Sequence, residues 1–213
     1  MNLEDLELDI AKEVLNVGLG KAADSIAFFT NDKVVIRSLD LQIKAPHKVI
    51  YDISNKREDE NLYVLSTELL GEMKGVCYLI FSEEEVNKLW QVCLPESIRN
   101  NPEAFKEMGE AVLLEMDNII VASVVTQFSN FFKYKMYGDV PNLSKTISKG
   151  LEQIISSANR CSNYCLFFKS EFITSNLQIN PEFVWLIDEK YFEGVKVLAQ
   201  DDNAISQLLN KNA

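Results

Sequence analysis

The chain has 213 residues, of which 47% are hydrophobic and 25% charged, and it carries a net charge of −11. This length and balance predict a soluble globular protein with a sizeable core. The acidic excess excludes a nucleic-acid phosphate backbone as the main ligand.

The first residues, Met1-Asn2-Leu3-Glu4-Asp5, are acidic where a secretory signal is basic. Apolar runs such as Ile119-Ile120-Val121-Ala122 are too short to span a bilayer. The expected location is cytoplasmic, without a membrane partner. His47 is the single histidine, and the cysteines Cys77, Cys93, Cys161 and Cys165 form no C-x-x-C pair. These spacings predict no metal site. Cys161 and Cys165 read as small buried residues near an element boundary.

In chain order, apolar residues at helical period predict a long helix from about Leu3 to Phe29, ended by Asn31-Asp32. Lys33 to Ala45 alternates as a strand, with Val35, Leu39, Leu41 and Ile43 on one side and Pro46 closing it. His47 to Ile53 is expected as a short strand and Asn55 to Asn61 as a solvated loop. Leu62–Met73 and Gly75–Ser82 form a hairpin. Ser82 then caps a short helix with acids in its first turn, ended by Pro95. Ser97 to Pro102 is the best internal boundary. A second long helix is predicted from Glu103 to Phe132, then a strand from Tyr134 to Val140 ending at Pro141. A helix is expected from Asn142-Leu143-Ser144 to about Asn159, a long hairpin of Cys165–Leu177 and Phe183–Ile187 around Asn180-Pro181, and a short terminal helix after Asp201.

Two stretches repeat at a constant offset of 102 residues: Asp9, Glu13, Asn16, Gly20 and Ala111, Glu115, Asn118, Ala122. In each, glutamate and asparagine stand at i and i+3, side by side on one helix face and away from the apolar stripe. The small residue one turn later leaves room for another surface to approach. Apolar positions repeat with the same offset, Val14 with Met116, Val17 with Ile119 and Ile26 with Phe128. The predicted fold class is therefore an α/β (α+β) sandwich. A pseudo-two-fold repeat builds one shared, largely antiparallel sheet with two long helices packed on one face. The expected organisation is a single domain over 1–213, made of repeats at about 1–98 and 99–200 plus a C-terminal tail.

Gly18-Leu19-Gly20-Lys21-Ala22-Ala23 matches a dinucleotide-binding fingerprint, but it lies inside a helix rather than after a strand, so that reading is rejected. Glycines here cost helix stability. Close approach of another backbone, from a packed helix or a docked partner, is the expected reason for them.

The segment Asp9 to Asn16, followed by Gly18-x-Gly20-x-Ala22-Ala23, resembles the signature of the CheC / CheX / FliY chemotaxis phosphatase family: Asp/Ser-x-x-x-Glu-x-x-Asn, then a proline a little over twenty residues later. Leu70 to Phe81 and Glu83-Glu84-Glu85 resemble its mid-chain hairpin and helix. The first proline is replaced, the place reading Ser38-Leu39, whereas Pro141 follows the second copy; Ala111 replaces the second leading acid.

The resemblance implies a phosphatase acting on an aspartyl-phosphorylated, CheY-like receiver domain. Asn16 and Asn118 would orient the hydrolytic water, and Glu13 and Glu115 would dock against a receiver lysine. Asp9, Gly20, Ala111 and Ala122 would line the docking faces. This chain would bind no cofactor, since Mg2+ is expected on the receiver; a CheD-like protein is a further candidate partner. The alternative is a non-catalytic receiver-binding protein of a chemotaxis or two-component system. A third class, a small-molecule enzyme with Glu13 or Glu115 as base, lacks a histidine, lysine or serine partner at matching spacing. Because only the first face keeps an acid at Asp9 and a glycine at Gly20, it is expected to be the stronger of the two.

Overall fold

A computed structural model describes residues 4–30, 32–56, 59–158 and 164–210. The first half runs through helix α1 (Asp5–Thr30), strand β1 (Val35–Lys44), helix α2 (Pro46–Lys56), the hairpin β2 (Asn61–Gly71) and β3 (Gly75–Ser82), and helix α3 (Glu83–Cys93). A one-turn helix, α4 (Glu96–Arg99), leads into the second half. There the order is α5 (Pro102–Phe132), β4 (Met136–Gly138), β5 (Asn142–Ile147), a 3-10 turn at Ser148–Gly150 and α6 (Leu151–Ala158). Then come β6 (Tyr164–Ile173), β7 (Gln178–Ile179), β8 (Glu182–Ile187), α7 (Lys190–Leu198) and a last helix, α8 (Asp202–Asn210). Each half thus follows helix, strand, helix, hairpin, helix.

The described strands form one antiparallel sheet in the order β1-β6-β8-β3-β2-β4, with β5 following β4 along the same edge of β2 and β7 preceding β8 along the same edge of β6. The two halves exchange strands. β1 lies on β6 of the second half, from Val35↔Ile173 to Lys44↔Cys165. In return β4 and β5 lie on β2 of the first, with Leu69↔Gly138 and Val64↔Ser144 in register. The hairpins meet at β3 and β8 in the middle.

Strand alternation divides the sheet into two buried faces. Leu65, Leu79, Phe168 and Trp185 point into the larger core, beneath α1, α5, α3 and α7. Val64, Tyr78, Ile80, Val184 and Leu186 point into a smaller one, closed by Val49, Ile50 and Ile53 of α2 and Leu151 and Ile155 of α6. Helices α1 and α5 pack together on the first face. At Gly18 the two approach closely, since a Cβ there would lie 2.7 Å from the Cα of Val124. This packing explains the glycine. Ser82 caps α3 as predicted, accepting from the Glu85 N–H while the Glu85 carboxylate accepts from the Ser82 N–H at 2.8 Å.

Four expectations need correction. Residues 46–56 are a helix rather than a short strand and a loop: Pro46 suits a first helical position, and buried Val49, Ile50 and Ile53 have helical spacing. Residues 142–147 are a strand rather than a helix start, because the chain restarts along the free edge of β2 after Pro141. The turn of the second hairpin lies at Thr174–Leu177, where the Thr174 N–H bonds the Leu177 carbonyl at 2.8 Å, not at Asn180-Pro181. Finally, α5 is long and apolar enough by length and composition to cross a bilayer. Half of that stretch is buried inside the fold, against α1, β2 and β4. The placements at Leu3, Asn31 and Asn159, the loop residues Arg57 and Glu58, and Cys161 lie outside the described residues. Cys165 is buried in β6.

Candidate functional site

Helices α1 and α5 carry the two Glu-x-x-Asn stretches at matched places. On α5, Ala111, Glu115, Asn118 and Ala122 are all exposed along one stripe. On α1, Asp9 and Gly20 are exposed, while Glu13 and Asn16 are half-buried and engaged in contacts within the chain. None of the four polar side chains is buried in the core. Asp9 lies 3.9 Å from Lys12 on the same exposed surface, a pair that contributes little to stability.

The surroundings of the two faces differ. Ala111, Leu114, Glu115 and Asn118 form one wall of a groove of about 470 Å³ whose other wall is Gly138, Asp139, Val140 and Pro141. Pro141 falls between β4 and β5 and interrupts the edge strand, since it has no N–H to give a ladder. The released segment stands opposite Glu115 and Asn118, with Val140 82% exposed. At the matching place in the first half, Ser38-Leu39, β1 runs on without a break and has only a bulge between Leu39 and Gln42. The proline that follows one motif and not the other therefore decides whether the facing strand opens into a wall.

Behind the second face lies a buried carboxylate. Asp117 is 1% exposed, and its Oδ2 accepts from the Thr67 hydroxyl of β2 at 2.5 Å. Its Oδ1 has no hydrogen-bond partner among the described residues. Burial pushes the carboxyl up to about 7, the Thr67 bond offsetting part of that rise. The neighbouring Cys77 of β3 is buried too, and its thiol is held well above the usual range by burial and by Asp117. Asp117 is absent from the motif read in the sequence, although a charged residue inside the apolar stripe Leu113, Met116, Ile120, Val124 is a readable signal.

A second repeat, outside the polar motif, accompanies it. Leu6 and Met108 are separated by the same offset of 102 and precede each glutamate by two turns. Both are exposed, at 56% and 42%. The repeated face is thus one turn longer than the polar motif.

Among the described residues no group of three or more His, Cys, Asp or Glu is placed to hold a metal ion. What the arrangement offers is two polar helix faces, the second of them set in a groove. Each can present one acid and one amide to a surface brought against it.

No family model matches the sequence. Solved structures do share its architecture. FliY of Thermotoga maritima superposes with a TM-score of 0.73 at 15% identity, over 94% of this chain and 98% of that one. A chain of the FliG–FliM complex of H. pylori gives 0.59 at 8% identity, over 90% and 100%. A chain of the FliM–SpeE complex of H. pylori gives 0.57 at 10%, over 92% and 97%. The architecture that the two Glu-x-x-Asn stretches led us to expect is the one these proteins have.

Proposed function

We propose that this chain, built on the fold of the CheC / CheX / FliY group, is a phosphatase of aspartyl-phosphorylated receiver domains. The observation that carries the proposal is the repeat of Glu and Asn at matched, solvent-reached positions on α1 and α5. An acyl phosphate is already activated, and the receiver supplies the divalent cation and the groups that hold the phosphoryl oxygens. What a partner must add is a water in line with phosphorus, because phosphoryl transfer is catalysed mainly by positioning and charge stabilisation. An asparagine amide both accepts from and donates to such a water without titrating. In this reading Asn118, and Asn16 on the other face, hold the water. Its oxygen bonds phosphorus, the bond from phosphorus to the aspartyl oxygen breaks, and the receiver carboxylate leaves with the electron pair. The water's protons pass to the phosphate product and to solvent. Glu115 and Glu13 take a receiver lysine as ion-pair partner and set the register of docking. No bond to this chain forms at any step.

The test is release of inorganic phosphate from a phosphorylated receiver, with and without the chain. Replacing Asn16 and Asn118 together by alanine should lower the stimulated rate by about tenfold or more, with the circular dichroism spectrum unchanged. An unaltered rate from the folded double variant would sink the mechanism.

A second reading is favoured by the likeness to FliM chains, which were solved in complexes with FliG and with SpeE. In it the same fold binds a partner without hydrolysing anything. Tight binding of the phosphorylated receiver with no added phosphate release would select that reading.

A further inference from the structure

The two walls of the second groove belong to different layers of the fold. Glu115 and Asn118 ride on α5, whereas Gly138 to Pro141 hang from β2. Leu69 of β2 pairs with Gly138, and the Asp139 N–H bonds the Glu68 carbonyl at 2.8 Å. Between helix and strand stands a buried bond from Thr67 to Asp117. Asp117 directly precedes Asn118 in sequence, and Thr67 directly precedes Glu68. The fit around them is tight: a Cβ on Gly138 would lie 3.1 Å from the Thr67 Cγ2 and 3.0 Å from the Val121 Cγ1 of α5. A change in the spacing between α5 and β2 at this point therefore moves Asn118 relative to the opposite wall. At the matching offset the first half has Leu15, buried and apolar, which can make no such bond.

We infer that Asp117 is a positioning residue: through its bond to Thr67 it sets the width of the second groove and the placement of Asn118, and it serves that face alone. The inference rests on the receiver-phosphatase reading and assigns the two faces different supports. A hydrogen bond between a buried carboxyl and a hydroxyl fixes a distance and a direction that an apolar contact leaves loose. Asp117 touches no reacting atom. Its effect passes through the helix that carries Asn118.

The experiment uses the full chain with one face disabled at a time. N16A leaves the second face and N118A the first. Asp117→Leu, which copies the first half, and Thr67→Val, which removes the hydroxyl at equal size, are combined with each. Phosphate release and affinity for a receiver activated by beryllofluoride are measured together. In the N16A background, D117L and T67V should each lower the turnover rate about tenfold, with a change of less than about threefold in half-saturating receiver concentration. Asp117→Asn, whose amide still bonds Thr67, should keep most of the rate. In the N118A background none of the three should change the rate by more than about twofold. Equal losses in both backgrounds would mark a merely structural role and overturn the inference, as would an unchanged rate for D117L and T67V on the second face. If the unsubstituted chain released no phosphate, the phosphatase reading would fail. The inference, which concerns the placement of Asn118 for that reaction, would fall with it, whereas an active chain whose D117L and T67V variants keep their rate would overturn the inference alone.

Discussion

Gly18 and Gly20 stand two residues apart on α1 and answer to opposite demands. At Gly18 an added Cβ meets the backbone of Val124 at 2.7 Å, so the helices must separate. At Gly20 it meets nothing within 4 Å. Gly18→Ala should therefore destabilise the fold by about 1–3 kcal/mol through overpacking. Gly20→Ala should stabilise it by about 0.5–1 kcal/mol through helix propensity. Urea denaturation midpoints check both, and shifts of the same sign would contradict the packing described here. Asp117 makes stability depend on pH. Below the ordinary carboxyl value of 3.8 it is protonated in both folded and unfolded chains. As pH rises from there to about 7, the unfolded chain releases the proton while the folded chain keeps it, so stability falls. Above about 7 the loss levels off, at a total on the order of 4 kcal/mol. Asp117→Asn removes this contribution. The variant should gain stability relative to the unsubstituted chain as pH is raised from 4 to 8, which denaturation curves across that range would show.

At the level of elements, what the sequence made legible follows a physical division. Long elements with an unambiguous period were readable: α1, α5, the β2–β3 hairpin and the capped α3 all lie where Val, Ile and Leu spacing and Ser82 put them. Short elements whose identity depends on a neighbour were not. The β-branched residues of 49–53 favour a strand by propensity, and their helical spacing outweighs that only once α2 is seen to cover the second sheet face. Asn142-Leu143-Ser144 reads as a helix cap, and only the free edge of β2 turns it into a strand. Helix α7 went unassigned although Tyr191, Phe192, Val195 and Leu198 are buried at helical spacing. The polar motif itself was readable because two helices carry it at one offset. The wall opposite it was not, because a facing loop is a tertiary fact. Pro141 was visible as a family mark, and its role in releasing that wall from the edge strand needed the fold.

Taken whole, the molecule is an imperfect copy of itself, and the imperfections bear on which face acts. Asp9 and Gly20 favour the first face when only the sequence is considered. Against that, Glu13 and Asn16 are half-buried and already engaged, while Glu115 and Asn118 stand exposed in a groove with a second wall. A docked surface is held better between two walls than on one. We therefore expect Asn118→Ala to lower phosphate release more than Asn16→Ala, reversing the ranking drawn from Asp9 and Gly20; initial rates at equal receiver concentration decide it. The exchange of strands between the halves also governs when the chain can fold. β1 waits for β6, the outer edge of β2 waits for β4 and β5, and β3 waits for β8. A ribosome that has made only the first half has made strands whose edges are still open. The strand that joins the two parts of the sheet, β8 at Glu182–Ile187, stands between β6 and β3 and emerges last of all. Translation thus delivers one of the two central strands after both margins of the sheet. Closure depends on contacts far apart in sequence, which makes it slow, and both candidate faces take their final geometry only once nearly the whole chain has been made.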